Sequence, residues 1–242
     1  MEIAGDDISV EKGDWKFDGS VAEKFDEHVL KSIPLYTEAH QIVCNLTDYF
    51  LPTHSLVFEL GCSTGTLLCK IANHNKHKKA VKYIGIDQEQ KMIELANYKR
   101  NTVDQILVDD IEFICENINE YSLQQNNMVI CFYVVQFIHP SLRQQLINKI
   151  YRNLKWGGAF VLFEKVRGSD ARFQDVLTGL YHDYKKLQGY SEEEIFNKSL
   201  SLRGVMEPFS RQGNVDMLRR AGFVDIESVF KYLCFEGFLA IK

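Results

Sequence analysis

Residues able to hold a small ligand recur along the middle of the chain, each set at the end of an apolar run. The first set is Val57-Phe58-Glu59-Leu60-Gly61-Cys62-Ser63-Thr64-Gly65. Strand-like residues end in an acid, a turn bounded by Gly61 and Gly65 follows, and apolar helical spacing resumes at Leu67. Glycine suits such a turn because it tolerates positive φ and lets a ligand approach bare backbone. Ser63 or Thr64 is placed to cap the helix that follows. The second set is Tyr83-Ile84-Gly85-Ile86-Asp87 with Gln88, a buried strand ending in an acid fit to accept hydrogen bonds from a ribose diol. The third is Asp109-Asp110-Ile111, an acid for an exocyclic amine beside an apolar face. The fourth is Cys131-Phe132-Tyr133 with Gln136, where aromatic faces attract a cation. One acid alone says little; acids recurring at successive strand ends describe one rim. For proton transfer near that rim the candidates are His139, Glu164 and Tyr133, together with Tyr36, Tyr181 and His182. His139 precedes Pro140 and also suits a helix start, and Glu164 also suits holding Lys165 or a helix end.

The turn lacks the third glycine of a dinucleotide fingerprint. It resembles E-x-G-x-x-x-G, the first motif of class I S-adenosylmethionine (SAM) methyltransferases. That resemblance implies that Glu59, Gly61, Cys62, Ser63 and Gly65 face the amino-acid part of SAM. Asp87 and Gln88 take the ribose, Asp110 the adenine amine, Ile111 the adenine face, and Phe132 the sulfonium; no metal is expected. Methyl transfer then requires an in-line approach and, for an oxygen or nitrogen nucleophile, a base.

The elements that would position these residues alternate. Strands are expected at 54–60, 81–87, 103–109, 128–134 and 159–164, and helices at 64–73, 89–100 and 140–154, with a helix or loop over 112–124. The continuous apolar run 128–134 suits a strand covered on both faces. Residues 168–220 have helical spacing broken at Gly189 and Gly204, and two strands at 223–229 and 233–241 turn back on each other. Alternation of this kind implies right-handed crossovers and a parallel sheet. The expected fold is therefore α/β: a Rossmann-like class I SAM methyltransferase fold, with a mostly parallel seven-stranded sheet and a C-terminal antiparallel hairpin. Ahead of it, Val21, Phe25, Val29 and Ile33 share one helical face, and Ile42, Val43, Leu46, Tyr49 and Phe50 mark a second helix. These helices either form a lid over the pocket or cover a sheet edge. The expected organisation is a disordered 1–13 and one domain over 14–242, with a helical cap at 14–52 and a helical insertion and dimer region at 168–220.

Composition narrows the class. The 242 residues, 45% apolar, suit one sizeable α/β domain. No apolar run approaches the ~20 residues of a membrane span, and the acidic start lacks a signal-peptide core. A net charge of −5 gives no general attraction to nucleic acid, so direct nucleic-acid binding is not expected. Six cysteines without CxxC spacing suggest reduced thiols in a cytoplasmic protein.

Several further stretches resemble the carboxy-SAM synthase family. They include Asp14-Trp15-Lys16-Phe17-Asp18, Ser32-Ile33-Pro34-Leu35-Tyr36, Glu59 to Gly65, Gln136-Phe137, Phe163-Glu164-Lys165, His182-Asp183-Tyr184-Lys185 and Gly189-Tyr190-Ser191. The resemblance runs from residue 14 to the end. It implies a SAM-binding homodimer that joins a carboxylate from prephenate to the methyl carbon of SAM, giving carboxy-SAM for wobble-uridine modification of tRNA. It carries ligand contacts onto Tyr36, Gly61, Cys62, Ser63, Asp87, Gln88, Asp110 and Ile111. Two positions depart from the family. Phe132 stands where the family has Asn, and Ser199 where it has an Arg donated across the dimer to the added carboxylate. Charge-assisted hydrogen bonds are worth roughly 1.5–3 kcal/mol each, and neither replacement supplies one, although Lys198 or Arg203 stands near enough in sequence to reach in. The sequence reading therefore favours a methyltransferase acting on a small-molecule acceptor. A carboxy-SAM synthase with a relocated cation and a non-catalytic SAM-binding protein are the alternatives.

Overall fold

The computed structural model describes residues 2–6, 8–17, 19–102 and 110–242. A short antiparallel ribbon, β1 (Glu2–Ile3) and β2 (Ser9–Val10), precedes two helices, α1 (Gly19–Ser32) and α2 (Tyr36–Phe50). Then follow β3 (Leu56–Leu60), α3 (Thr66–His74), β4 (Lys82–Asp87), α4 (Gln90–Thr102), β5 (Ile111–Cys115), β6 (Asn126–Phe132), a 3₁₀ turn at Val135–Phe137, α5 (Pro140–Asn153) and β7 (Leu154–Lys165). Three helices, α6 (Ala171–Leu187), α7 (Glu192–Ser201) and α8 (Arg211–Ala221), lead into the hairpin β8 (Asp225–Tyr232) and β9 (Phe235–Ile241).

The seven longer strands form one sheet in the order β5-β4-β3-β6-β7-β9-β8. The first five run parallel, and β9 is antiparallel to both β7 and β8. This is the expected doubly wound sheet with its terminal hairpin. Strand order reverses at β3, between β4 and β6, so the crevice beyond the carboxyl end of β3 is where such a sheet takes a ligand. Side chains alternate across the sheet. Val57 packs with α2 and α3 through Ala39, Val43 and Leu68. Phe58 and Leu60 pack on the other face with Leu146, Ile150 and Leu218 of α5 and α8.

Three expectations change. The strand expected at 103–109, and Asp109 with it, lies outside the described residues. The strand paired with β4 is Ile111–Cys115, where Ile111 and Phe113 are buried and Glu112 is exposed, an edge-strand alternation. Second, α3 begins at Thr66 with Gly65 as its cap in the left-handed region, not with Ser63 or Thr64. Third, the first residues are not a featureless tail. Ala4, Ile8 and Val10 are buried with Trp15 and Val21, against Leu202 and Val205 beyond α7. Among the described residues no helix is long and apolar enough to cross a membrane.

Candidate active site

Beyond the carboxyl ends of β3, β4 and β6 lies a cavity of about 670 Å³, roofed by α1, α6 and α7. Tyr36, Glu59, Gly61, Cys62, Ser63, Asp87, Gln88, Phe132, Tyr133 and His139 all line it. The fold thus gathers most of the residues expected there. Glu59 is nearly fully buried and its Oε2 has no hydrogen-bond partner. Burial raises its proton affinity well above the ordinary carboxyl range, against a backbone hydrogen bond from Leu68. An orphaned acceptor at the rim calls for a donor from a ligand, such as an amino group. Asp87 Oδ2 accepts from Ser63 N at 2.8 Å and Oδ1 from Glu89 N at 3.0 Å, so the carboxylate ties the first turn to the start of α4. Burial raises its proton affinity, and these N–H groups oppose the shift.

The glycines act differently from the expectation. Gly61 and Gly65 have φ of 74° and 72°, which favours glycine. A Cβ at Gly61 would lie 2.5 Å from Val134 Cγ2, and one at Gly65 would lie 2.5 Å from Phe113 Cζ. Their bare faces admit protein neighbours rather than ligand, and Gly65 does not line the cavity.

Asp110 and Ile111 are not at the site. Ile111 pairs with Tyr83, at the entry edge of the sheet, and the Asp110 carbonyl accepts from Tyr83 N at 2.9 Å. Asp87 pairs instead with Cys115, so the third position of the rim falls to Asn117 and Ile118. The sequence reading missed them because it placed the third strand before Asp110 rather than after it. Glu164 is also elsewhere. It is buried beneath the turn after β6, where its Oε1 accepts from Val135 N at 2.9 Å. Burial lifts its carboxyl to about 8, against the Arg143 charge and backbone N–H groups. It supports the turn and does not line the cavity. His139 stands at the rim but is engaged as the cap of α5, its Nδ1 2.7 Å from Ser141 Oγ.

Tyr133 is the third proton-transfer candidate. Its φ is 61°, strained for a bulky residue, and its buried hydroxyl has no partner. Burial holds the phenol protonated. Phe132 meets Tyr36 and His40 edge-to-face and Phe163 at a tilt, with ring centroids 5.5, 4.8 and 4.8 Å away.

The opposite wall carries Lys165, Lys185 and Lys198, all lining the cavity. Lys165 Nζ and Lys185 Nζ lie 4.4 and 4.8 Å from the centre of the Tyr181 ring. Burial, and then the Lys165 charge, bring Lys185 down from 10.5 to about 7; burial likewise lowers Lys165. No carboxylate acts on either among the described residues. Ser199 also reaches the cavity wall, one residue from Lys198. Sequence spacing gave no signal for this convergence, since the lysines come from β7, α6 and α7.

A family model described as a methyltransferase domain matches residues 57–158. Carboxy-S-adenosyl-L-methionine synthase of Campylobacter lari is 34% identical over 228 residues, covering 94% of each chain. The synthase of the same name from Campylobacter jejuni subsp. doylei is 38% identical over 231 residues, covering 96% of this chain and 95% of its own. The chain belongs to the carboxy-S-adenosyl-L-methionine synthase family. Synthases of this family extend to Staphylococcus epidermidis, at 36% identity over 94% of this chain and 97% of that one. Among solved structures, human N-acetylserotonin methyltransferase in complex with SAM aligns with a TM-score of 0.63 at 18% identity, covering 92% of this chain and 56% of that one. An O-methyltransferase family protein from Burkholderia thailandensis gives 0.65 at 13%, covering 92% and 59%. Membership in the carboxy-SAM synthase family makes this protein a SAM-dependent transferase, with SAM as its cofactor.

Proposed function

We propose that the protein is a carboxy-SAM synthase, transferring a carboxylate from prephenate to the methyl carbon of SAM. The observation that carries this reading is a pair of lysines facing the same cavity as the proposed SAM rim, Lys185 buried and Lys165 half-buried, with no carboxylate acting on either among the described residues. Buried ammonium groups without counter-charges are costly, and a dicarboxylate donor supplies those charges. An acceptor for ordinary methylation does not require them. The engagement of His139 and Glu164 agrees. A donor ring that gives up carbon dioxide and hydroxide would become aromatic; the hydroxide would take the methyl proton and leave as water, and the methyl carbon would form its new bond to the carbon dioxide, so the reaction would consume no protein base.

In this reading Glu59 receives the amino group of SAM, Asp87 the ribose diol, and Asn117 with Ile118 the adenine. Phe132 and Tyr133 line the sulfonium side, where aromatic faces favour a cation. Phe132 and Ser199 favour one second reading, simple methyl transfer to a small-molecule acceptor, because neither offers a cation to a carboxylated cofactor. Incubation with SAM and prephenate, followed by mass spectrometry, separates the two. Carboxy-SAM is expected; recovery of unchanged SAM overturns the proposal.

We further infer that the protein works as a homodimer. The support is an apolar stripe on α6, where Phe173, Val176, Leu180 and Leu187 are 56%, 54%, 46% and 84% exposed. Their helical spacing gives one unpartnered face.

A further inference from the structure

Behind Lys198 a chain of polar side chains leads out of the cavity to the N-terminal ribbon. Lys198 Nζ hydrogen-bonds His28 Nε2, and His28 Nδ1 lies 2.7 Å from Asp6 Oδ2. Lys198 Nζ also lies 3.3 Å from Ser32 Oγ and 4.6 Å from the centre of the Trp15 ring. His28, Ser32, Trp15 and Lys198 line the cavity, whereas Asp6 sits outside it in the turn between β1 and β2.

The chain has a direction. Burial, then the Lys198 charge, keeps the His28 ring neutral down to about 3. A neutral imidazole donates from one nitrogen and accepts at the other. The tautomer that satisfies both neighbours donates from Nδ1 to the Asp6 carboxylate and accepts at Nε2 from Lys198. Asp6 is held hard as an anion. Burial pulls its carboxyl up, but hydrogen bonds from Lys31, Tyr190 and His28 outweigh that and bring it to about 2. The Tyr190 hydroxyl donates to Oδ2 at 2.7 Å, and Lys31 Nζ to Oδ1 at 2.5 Å. The turn is shaped for this contact. Asp6 has a φ of 51°, and a Cβ on the preceding Gly5 would lie 2.3 Å from Tyr190 Cε1.

Several charges face Lys198. Burial, then Lys185 from α6, with a smaller contribution from Lys165 of β7, push its proton affinity well below the ordinary lysine range, and Asp6 alone among the acting groups opposes that shift. An ammonium has three donors. His28 and Ser32 account for two of them, which leaves one for a ligand in the cavity.

We propose that the N-terminal ribbon is a working part of the pocket: Asp6, acting through His28, orients Lys198 into the cavity and favours its charged form there for an anionic group of the bound substrate. Asp6 is thus a positioning residue. The identity of that anion as a donor carboxylate rests on the synthase reading above; the link from Asp6 to Lys198 does not.

The test uses the full chain labelled with carbon-13 at lysine Cε and titrated by nuclear magnetic resonance. The Lys198 signal is assigned by its loss in Lys198→Met. In Asp6→Asn its midpoint should fall by about one unit or more, and Asp6→Glu should restore it. His28→Gln, which leaves the Tyr190 and Lys31 contacts in place, should lower the midpoint as well. An unchanged midpoint in both Asp6→Asn and His28→Gln overturns the inference. Calorimetry with prephenate then reads the consequence: about tenfold weaker binding in Asp6→Asn with SAM affinity unchanged. If the midpoint shifts but the unaltered protein takes no prephenate, the synthase reading fails and the positioning role stands. If prephenate binds both proteins equally and the midpoint is unmoved, the positioning role fails and the synthase reading stands.

Discussion

Lys185 joins the chemistry of the pocket to its dependence on pH. Its proton is held in the folded chain only up to about 7, but in the unfolded chain up to 10.5. Between those values the unfolded state binds the extra proton, so stability of the ligand-free protein should rise with pH across that window. Chemical denaturation at successive pH values checks this, and Lys185→Met should remove that part of the slope. The same substitution should weaken prephenate binding by about 1.5–3 kcal/mol, as loss of a charge-assisted contact, while SAM affinity measured by calorimetry stays the same. Asp87 belongs to the other half of the site. Asp87→Ala should cost about 2–3 kcal/mol of SAM binding, since the carboxylate both faces the cavity and anchors Ser63 and Glu89. Equal SAM affinity in that variant removes Asp87 from the site.

Helix α1 and the first glycine turn are fastened to each other. Asp26 on α1 accepts from Thr64 Oγ1 at 2.7 Å, from Thr66 Oγ1 at 3.1 Å and from Lys99 on α4. Lys99 Nζ also donates to Thr64 and Thr66 at 2.7 and 2.8 Å. This cluster makes α1 a lid tied to the turn rather than a cover for a sheet edge. Asp26→Ala should therefore speed SAM dissociation, by a factor matching about 1–2 kcal/mol, in stopped-flow displacement. An unchanged off-rate shows that the lid closes without this fastening. The hydrogen-bonding role of Thr64 was not readable in advance. A threonine before a helix suggests a cap, and only the approach of Asp26 from α1 turned its hydroxyl elsewhere.

On the outside of the molecule, α6 exposes the apolar stripe of Phe173, Val176, Leu180 and Leu187. From the adjoining face of the same helix, Leu177, Tyr181 and Lys185 line the cavity. Dimer formation through the outer stripe would brace the wall that holds the lysines. Val176→Asp with Leu180→Asp should convert a dimer to a monomer in size-exclusion chromatography with light scattering, and should lower synthase activity alongside. A dimer that survives the double substitution places the contact elsewhere.

The alternation of strand and helix, the acids Glu59 and Asp87, and the Gly61 turn were all legible in order along the chain. They depend on local rules: side-chain period, φ tolerance, and the arrival of every parallel strand at the same edge. The third strand was misplaced because an edge strand alternates apolar with polar residues, and Ile111-Glu112-Phe113 reads as easily as a loop. The lysines and the Asp6–His28–Lys198 chain had no local trace at all. Their members lie far apart in sequence, and only the packing of α1, α6, α7 and the ribbon over the sheet brings them together. Local sequence determined the rim proposed here for a SAM-type ligand; long-range packing decided what charge faces that rim, because burial and neighbouring charges are set by what the fold places nearby.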